Sequence, residues 1–222
     1  MVEIYLDSGS LGDFAKWADH PQIAGFTTNP SLMRKSGVTN YRDFCGAVLE
    51  LVKGKPVSFE VLTDDLEEMV AQAKRISAIA HNIIVKVPVI NTKGALTYSV
   101  VERLEPWVRV NLTAVFQLYQ VNKFIFRQPK IVSVFAGRIA DTGIEPGGVV
   151  RAVAYVMPKS KILWASAREV YNIWQAQAAG AQIITLSPQL FERYLKCDGK
   201  NLREYSLETV KEFYRDSEGL SI

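Results

Sequence analysis

Eight short apolar runs of strand length are spread along this chain: Ile4–Leu6, Gly25–Thr28, Val57–Val61, Ile83–Val89, Trp107–Leu112, Ile131–Phe135, Ile162–Ala165 and Ile183–Leu186. Segments of helical spacing separate most of them. The clearest covers 66–80, where Leu66, Met69, Val70, Ala73, Ile76 and Ile79/Ala80 form an apolar stripe, with Asp64 and Glu67 expected as a capping box. A strand followed by a helix, repeated eight times, predicts a parallel sheet, because parallel neighbours need a crossover connection. Closing eight such strands gives an α/β protein of the (β/α)8 TIM-barrel type. An open doubly wound sheet is the competing architecture; no GxGxxG follows the first run, which counts against its dinucleotide-binding form but not against a flavodoxin-like one. After the eighth run, Asn201–Tyr214 predicts an additional C-terminal helix with Leu202, Tyr205, Leu207, Val210 and Phe213/Tyr214 as apolar contacts, covering the barrel or reaching a neighbouring subunit. The stretch 141–148 is Gly-rich and reads as a loop after the sixth run. No linker or repeat divides the chain, so 1–222 is read as one domain.

Composition sets the class of partner. The 222 residues are 48% hydrophobic and 22% charged, ordinary for a globular chain with a sizeable core. A net charge of +3, from 26 Lys and Arg against 23 Asp and Glu, without a block of like charges, points to small anionic ligands and not to nucleic acid. Cys45 and Cys197 lie far apart and suggest no disulfide framework, which fits a reducing cytoplasm. Neither a signal-peptide pattern nor an apolar stretch of about 18 residues is present, so no membrane is expected. With only His20 and His81, no HExxH and no cysteine cluster, no metal site is expected; P-loop and GxSxG motifs are also missing.

Parallel strands buried on both faces should be almost wholly apolar, so polar residues at their C-terminal ends need a reason. Asp7 ends the first run, Thr28 and Asn29 the second, Glu60 lies late in the third, Lys86 interrupts the fourth, and Asn111 and Thr113 end the fifth. Ser133 lies in the sixth with Arg138 after it, and Ser166 and Arg168 follow the seventh. In a barrel these positions converge on one pocket. Individually, the Ser, Thr and Asn residues read equally well as helix caps.

Lys86 is the most informative. In Ile83–Val89 the alternation puts Ile84, Lys86 and Pro88 on one face and Val85, Val87 and Val89 on the other. If the valines meet the helices, Lys86 points into the barrel, where desolvation disfavours an ammonium and favours an amine able to attack a carbonyl. Ser58 and Glu60 share an inward face by the same logic, and Asp7 follows. Two carboxylates near an amine supply the proton transfers of imine chemistry. Alternatively Lys86 is a surface lysine, or forms a buried ion pair with Glu60, the carboxylates merely balancing its charge. Arg138 and Arg168 suggest a phosphate clamp, since guanidinium forks match phosphate oxygens, or they are simply solvated.

With these residues in place, the chain resembles the transaldolase family, in particular its small single-barrel branch, which includes fructose-6-phosphate aldolase. The resemblance runs from Ile4 to about Pro188 and is carried by five segments in order: 25–32 (GFTTNPSL), 84–88 (IVKVP), 110–116 (VNLTAVF), 133–139 (SVFAGRI) and 162–168 (ILWASAR). It implies Lys86 as Schiff-base nucleophile, Asp7 as the acid/base of carbon–carbon cleavage, and Glu60 with Thr113 as holders of a catalytic water. It implies substrate binding by Thr28, Asn29, Asn111 and Ser133, phosphate binding by Arg138, Ser166 and Arg168, and no cofactor. The implied reaction moves a dihydroxyacetone unit from sedoheptulose 7-phosphate or fructose 6-phosphate to glyceraldehyde 3-phosphate or erythrose 4-phosphate, in the non-oxidative pentose phosphate pathway. Glu60 where the aldolase carries Gln, and Phe135 where it carries Tyr, favour the transferase. The opening Asp7-Ser8-Gly9-Ser10, the stretch 124–130 and Trp164 depart from the family pattern. The resemblance also implies a homo-oligomer, a pentamer or decamer, with 201–214 in its contacts. An aldolase of the same chemistry and a silent sugar-phosphate-binding barrel are the other functions compatible with these residues.

Overall fold

A computed structural model describes residues 1–220. The strands are β1 (Glu3–Asp7), β2 (Ile23–Thr27), β3 (Val57–Glu60), β4 (Ile83–Pro88), β5 (Val110–Val115), β6 (Ile131–Val134), β7 (Lys161–Trp164) and β8 (Ile183–Leu186). Each pairs in parallel with the next and β8 returns to β1, closing the expected barrel. Around it run α1 (Leu11–Trp17), α2 (Pro30–Lys35), α3 (Tyr41–Leu51), α4 (Leu66–Ser77), α5 (Tyr98–Leu104), a 3₁₀ helix (Leu118–Phe126), α6 (Ala136–Ala140), α7 (Gly147–Val156), α8 (Asn172–Ala178), α9 (Pro188–Cys197) and α10 (Leu202–Asp216). Among the described residues no helix is long and apolar enough to cross a membrane.

The alternation read in β4 holds around the barrel and divides the core in two. Outward residues such as Leu6, Phe26, Phe59, Val85, Val87, Leu112 and Val134 join helix residues such as Phe14, Met69, Ala73, Phe124 and Phe191 in one large cluster. Tyr5, Ile84, Ile131, Leu163, Ala165 and Ile183 form a second, inside the barrel. Burying each large apolar side chain stabilises the fold by about 1.5–3 kcal/mol. Gly25 is required by this inner packing, because a Cβ there would lie 2.6 Å from the Tyr5 ring. The inner apolar layer floors the barrel, and the polar inward residues lie above it, toward the C-terminal strand ends.

Several boundaries differ from expectation. The fifth strand spans Val110–Val115 and not Trp107–Leu112. The amides of Trp107 and Val108 still donate to the Leu104 carbonyl at the end of α5, both at 2.9 Å, so they are unavailable to the sheet and Trp107 stands 82% exposed. The cap of α4 is Asp65, which accepts from the Glu68 amide at 2.9 Å; Asp64 instead accepts from the amide and hydroxyl of Thr92 at 2.6 and 2.7 Å. The expected N-cap is therefore displaced by one residue, and the Glu68 carboxylate pairs with Arg75 instead of completing a capping box. The loop expected over 141–148 is shorter, because Gly147 and Gly148 form the first turn of α7, their amides donating to the Glu145 carboxylate at 2.6 and 3.1 Å. The C-terminal helix is present, capped by Asn201, and none of its residues is buried. It does not cover the barrel.

Candidate active site

At the C-terminal ends of the strands the inward side chains line a cavity of about 90 Å³. The ladder register pairs Glu60 with Lys86 and Lys86 with Asn111, so three adjacent strands deliver these groups at one height. Lys86 is 6% exposed, and its Nζ lies 2.9 Å from Glu60 Oε2 and donates at 2.9 Å to the Thr28 carbonyl. Lys86 thus points inward, as the alternation predicts, and also forms the ion pair that was the alternative reading. An ammonium this deep needs such partners, since an unpaired buried charge is very costly.

On the opposite wall, Asp7 Oδ1 accepts from the Thr27 hydroxyl at 2.8 Å and Oδ2 from Asn29 Nδ2 at 3.4 Å. Burial pushes the Asp7 carboxyl above its ordinary range, and the nearby Glu60 charge adds to this; Lys86 and the Thr27 hydrogen bond only partly offset it. Asn29 has two roles, because its Oδ1 also caps α2 by accepting from the Leu32 amide at 3.0 Å. The cap reading and the site reading are both satisfied by one amide.

Between these walls Asn111 is held by Ser133, whose hydroxyl donates to Asn111 Oδ1 at 2.7 Å. Thr113 faces the cavity with a buried hydroxyl that has no protein hydrogen-bond partner, leaving it for a water or substrate oxygen. At the rim, Phe135 lines the cavity with the Arg138 guanidinium 5.3 Å from its ring centroid. Ser166 also lines it and has φ +65°, a conformation a non-glycine residue adopts only where the surroundings impose it. Gly137 at the start of α6 makes this possible: its amide donates to the Ala165 carbonyl at 3.2 Å, and a Cβ there would overlap the Ser166 carbonyl oxygen.

Nine of the residues singled out from sequence therefore wall this cavity: Asp7, Asn29, Lys86, Asn111, Thr113, Ser133, Phe135, Arg138 and Ser166. Glu60 touches it through Lys86. Thr28 and Arg168 differ from expectation. The side chain of Thr28 is not among the lining groups; it contributes its carbonyl, and Thr27, the residue of inward parity, takes the place facing Asp7. Arg168 donates through Nε and Nη2 to Asp141 at 3.2 and 2.5 Å and does not line the cavity, because a carboxylate one strand away satisfies its fork. Thr27, Leu163, Ala165 and Thr185 also line it and were not singled out. Thr185 carried the signal used elsewhere, a hydroxyl inside an apolar strand. No group of three or more His, Cys, Asp or Glu side chains among the described residues is placed to hold a metal ion.

The closed barrel with a buried lysine flanked by two carboxylates at its C-terminal mouth defines a β/α-barrel protein with an amine and two acids in one pocket. Comparison with known proteins narrows this class. The profile of the transaldolase/fructose-6-phosphate aldolase family matches residues 4–221, and the chain belongs to that family. A protein of Desulforudis audaxviator (strain MP104C) named "Probable transaldolase" is 35% identical over 198 residues, 85% of this chain and 87% of the relative. One of Nitrosopumilus maritimus (strain SCM1), with the same name, is 32% identical over 202 residues, 88% of each. Among solved structures, the CutC protein of Streptococcus agalactiae superposes with a TM-score of 0.65 over 83% of this chain and 98% of its own, at 11% identity, a likeness of fold alone.

Proposed function

We propose that this protein is a transaldolase that carries a dihydroxyacetone unit on Lys86, from a ketose phosphate such as fructose 6-phosphate or sedoheptulose 7-phosphate to an aldose phosphate. The observation that carries this reading is the Lys86 Nζ, buried at the cavity floor 2.9 Å from Glu60 and facing the Asp7 wall. Proton transfer from the Lys86 ammonium to Glu60 frees the amine, which adds to the C2 carbonyl of the ketose. The carbinolamine then loses its hydroxyl as water, with Glu60 returning the proton and the Thr113 hydroxyl holding the water. Asp7 takes the proton of the C4 hydroxyl as the C3–C4 bond breaks, and the bonding pair passes into the iminium to give an enamine. The released aldehyde departs. The enamine carbon attacks the acceptor aldehyde, Asp7 gives its proton to the new alkoxide, and water cleaves the imine from Lys86. Burial of Asp7 suits this work, because a carboxyl pushed upward holds a proton between the two half-reactions. Arg138 and Ser166, which line the same cavity, would bind the phosphate. Under this reading the protein acts in the cytoplasm on the non-oxidative pentose phosphate pathway and assembles as a homo-oligomer.

The test is peptide mass spectrometry after adding fructose 6-phosphate and borohydride, which reduces an imine to a stable amine. An adduct of a three-carbon unit on Lys86, absent in Lys86→Met, is expected. A folded parent that neither traps nor transfers with either ketose phosphate would leave the silent-barrel reading standing. Release of free dihydroxyacetone without any aldose acceptor would make the protein an aldolase.

A further inference from the structure

Beneath Lys86 lies a chain of side chains that this mechanism does not use. Ser58, one inward position below Glu60 on β3, accepts a hydrogen bond from Asn111 Nδ2 at 3.3 Å, and Ser133 donates to Asn111 Oδ1 at 2.7 Å. Ser58 pairs in the ladder with Ile84, so its hydroxyl reaches past β4, beneath the Lys86 side chain, to a residue on β5. Ser58 and Asn111 are 0% exposed and Ser133 is 2% exposed. Ser58 itself does not line the cavity, whereas Asn111 and Ser133 do.

The terminal torsion of an Asn side chain is broad, so hydrogen bonds and not a rotamer well fix the plane of its amide. Two bonds on opposite ends of the Asn111 amide set that plane. Nδ2 carries two hydrogens, and Ser58 engages one. The other is free for a ligand in the cavity, next to the Lys86 strand. The direction of the reacting sugar then follows from the two walls. Asp7, on β1, handles the C4 oxygen, so the C3–C4 bond runs from Lys86 toward β1. C1, on the other side of C2, lies toward β5 and β6, where Asn111 and Ser133 stand.

We propose that Ser58 is a positioning residue that holds Asn111 to read the C1 hydroxyl of the transferred unit, making the site select a dihydroxyacetone unit over one lacking that hydroxyl. This inference rests on the transaldolase reading. Ser58 acts only through Asn111, and its burial has no other partner to explain it, since a hydroxyl placed at an apolar barrel position costs stability unless it is bonded.

The experiment compares kcat/KM for fructose 6-phosphate and for its 1-deoxy analogue, with erythrose 4-phosphate as acceptor, in the parent, Ser58→Ala, Asn111→Ala and the double variant. Ser58→Ala is expected to lower kcat/KM for fructose 6-phosphate about fivefold to tenfold, the effect of one net hydrogen bond. The value for the 1-deoxy analogue stays within about twofold by the same reasoning. The double variant loses no more than Asn111→Ala alone, because the two residues act as one unit. Equal losses on both donors, or losses that multiply in the double variant, overturn the proposal and leave Ser58 a packing residue. Should Ser58→Ala not fold, Ser58→Thr and Ser58→Val, matched in volume, read the same ratio: discrimination persists with Thr and collapses with Val. A parent that fails the borohydride trap on Lys86 fails the underlying reading first, before any variant is compared.

Discussion

Asp7 is buried with two donors and an opposing lysine, and burial dominates, so the folded protein holds its proton more tightly than the unfolded chain does. For a carboxyl shifted upward, the stability linked to the proton is fully present below the ordinary value of 3.8 and is lost as pH rises through the folded value. At pH 7, well above 3.8, burying the Asp7 carboxyl therefore weakens the fold. Asp7→Asn is expected to melt at a higher temperature than the parent at pH 7, with the gap narrowing as pH falls toward 4, while transfer activity is lost. Calorimetry across that range checks it, and a gap that widens on acidification contradicts the assignment. Phe135 offers a second test at this scale. It presents a ring and no hydroxyl to the cavity beside Arg138, leaving no extra polar group for the water or protonation step. Phe135→Tyr is expected to raise the acceptor-independent release of dihydroxyacetone relative to transfer, measured by coupled assay; an unchanged ratio removes Phe135 from the choice between transferase and aldolase.

At the scale of elements, the rim depends on α6 sitting tightly against the end of β7. Gly137 allows its amide to reach the Ala165 carbonyl and leaves room for Ser166 at positive φ. Gly137→Ala forces backbone against backbone and is expected to cost about 1–3 kcal/mol, as overpacked sites do. Because Ser166 and Arg138 flank that contact, KM for phosphorylated sugars should rise more than kcat falls, which steady-state kinetics would separate. A variant with parent stability and parent KM would show that this approach is slack. Periodicity made the eight strands and α4 legible in advance, because it depends only on which residues meet core and which meet helix. The ends were less legible: β5 starts three residues late because Trp107 and Val108 bond back to α5, and Asp65 rather than Asp64 caps α4 because Thr92, far along the chain, engages Asp64.

For the whole molecule, α10 stands out: Leu202, Tyr205, Leu207, Val210, Phe213 and Tyr214 are all exposed on it. Tertiary packing of an apolar face supplies most of a helix's stability, and no residue of this helix is buried among the described residues. The homo-oligomer proposed above would give it a partner surface. Light scattering at micromolar concentration is expected to give a pentamer or decamer, and removal of 201–222 a smaller species; a monomeric parent contradicts it.

The sequence by itself determined the eight-fold strand and helix repeat, the inward parity of Lys86, Ser58 and Glu60, and the family, because these follow from alternation and from motifs contiguous in the chain. Only the tertiary structure decided that Thr27 and not Thr28 faces Asp7, that Asp141 takes the fork of Arg168, and that Ser58 reaches across a strand to Asn111. Each of these depends on distances between residues remote in sequence, set by barrel register and by competition among hydrogen-bond partners that no local pattern encodes.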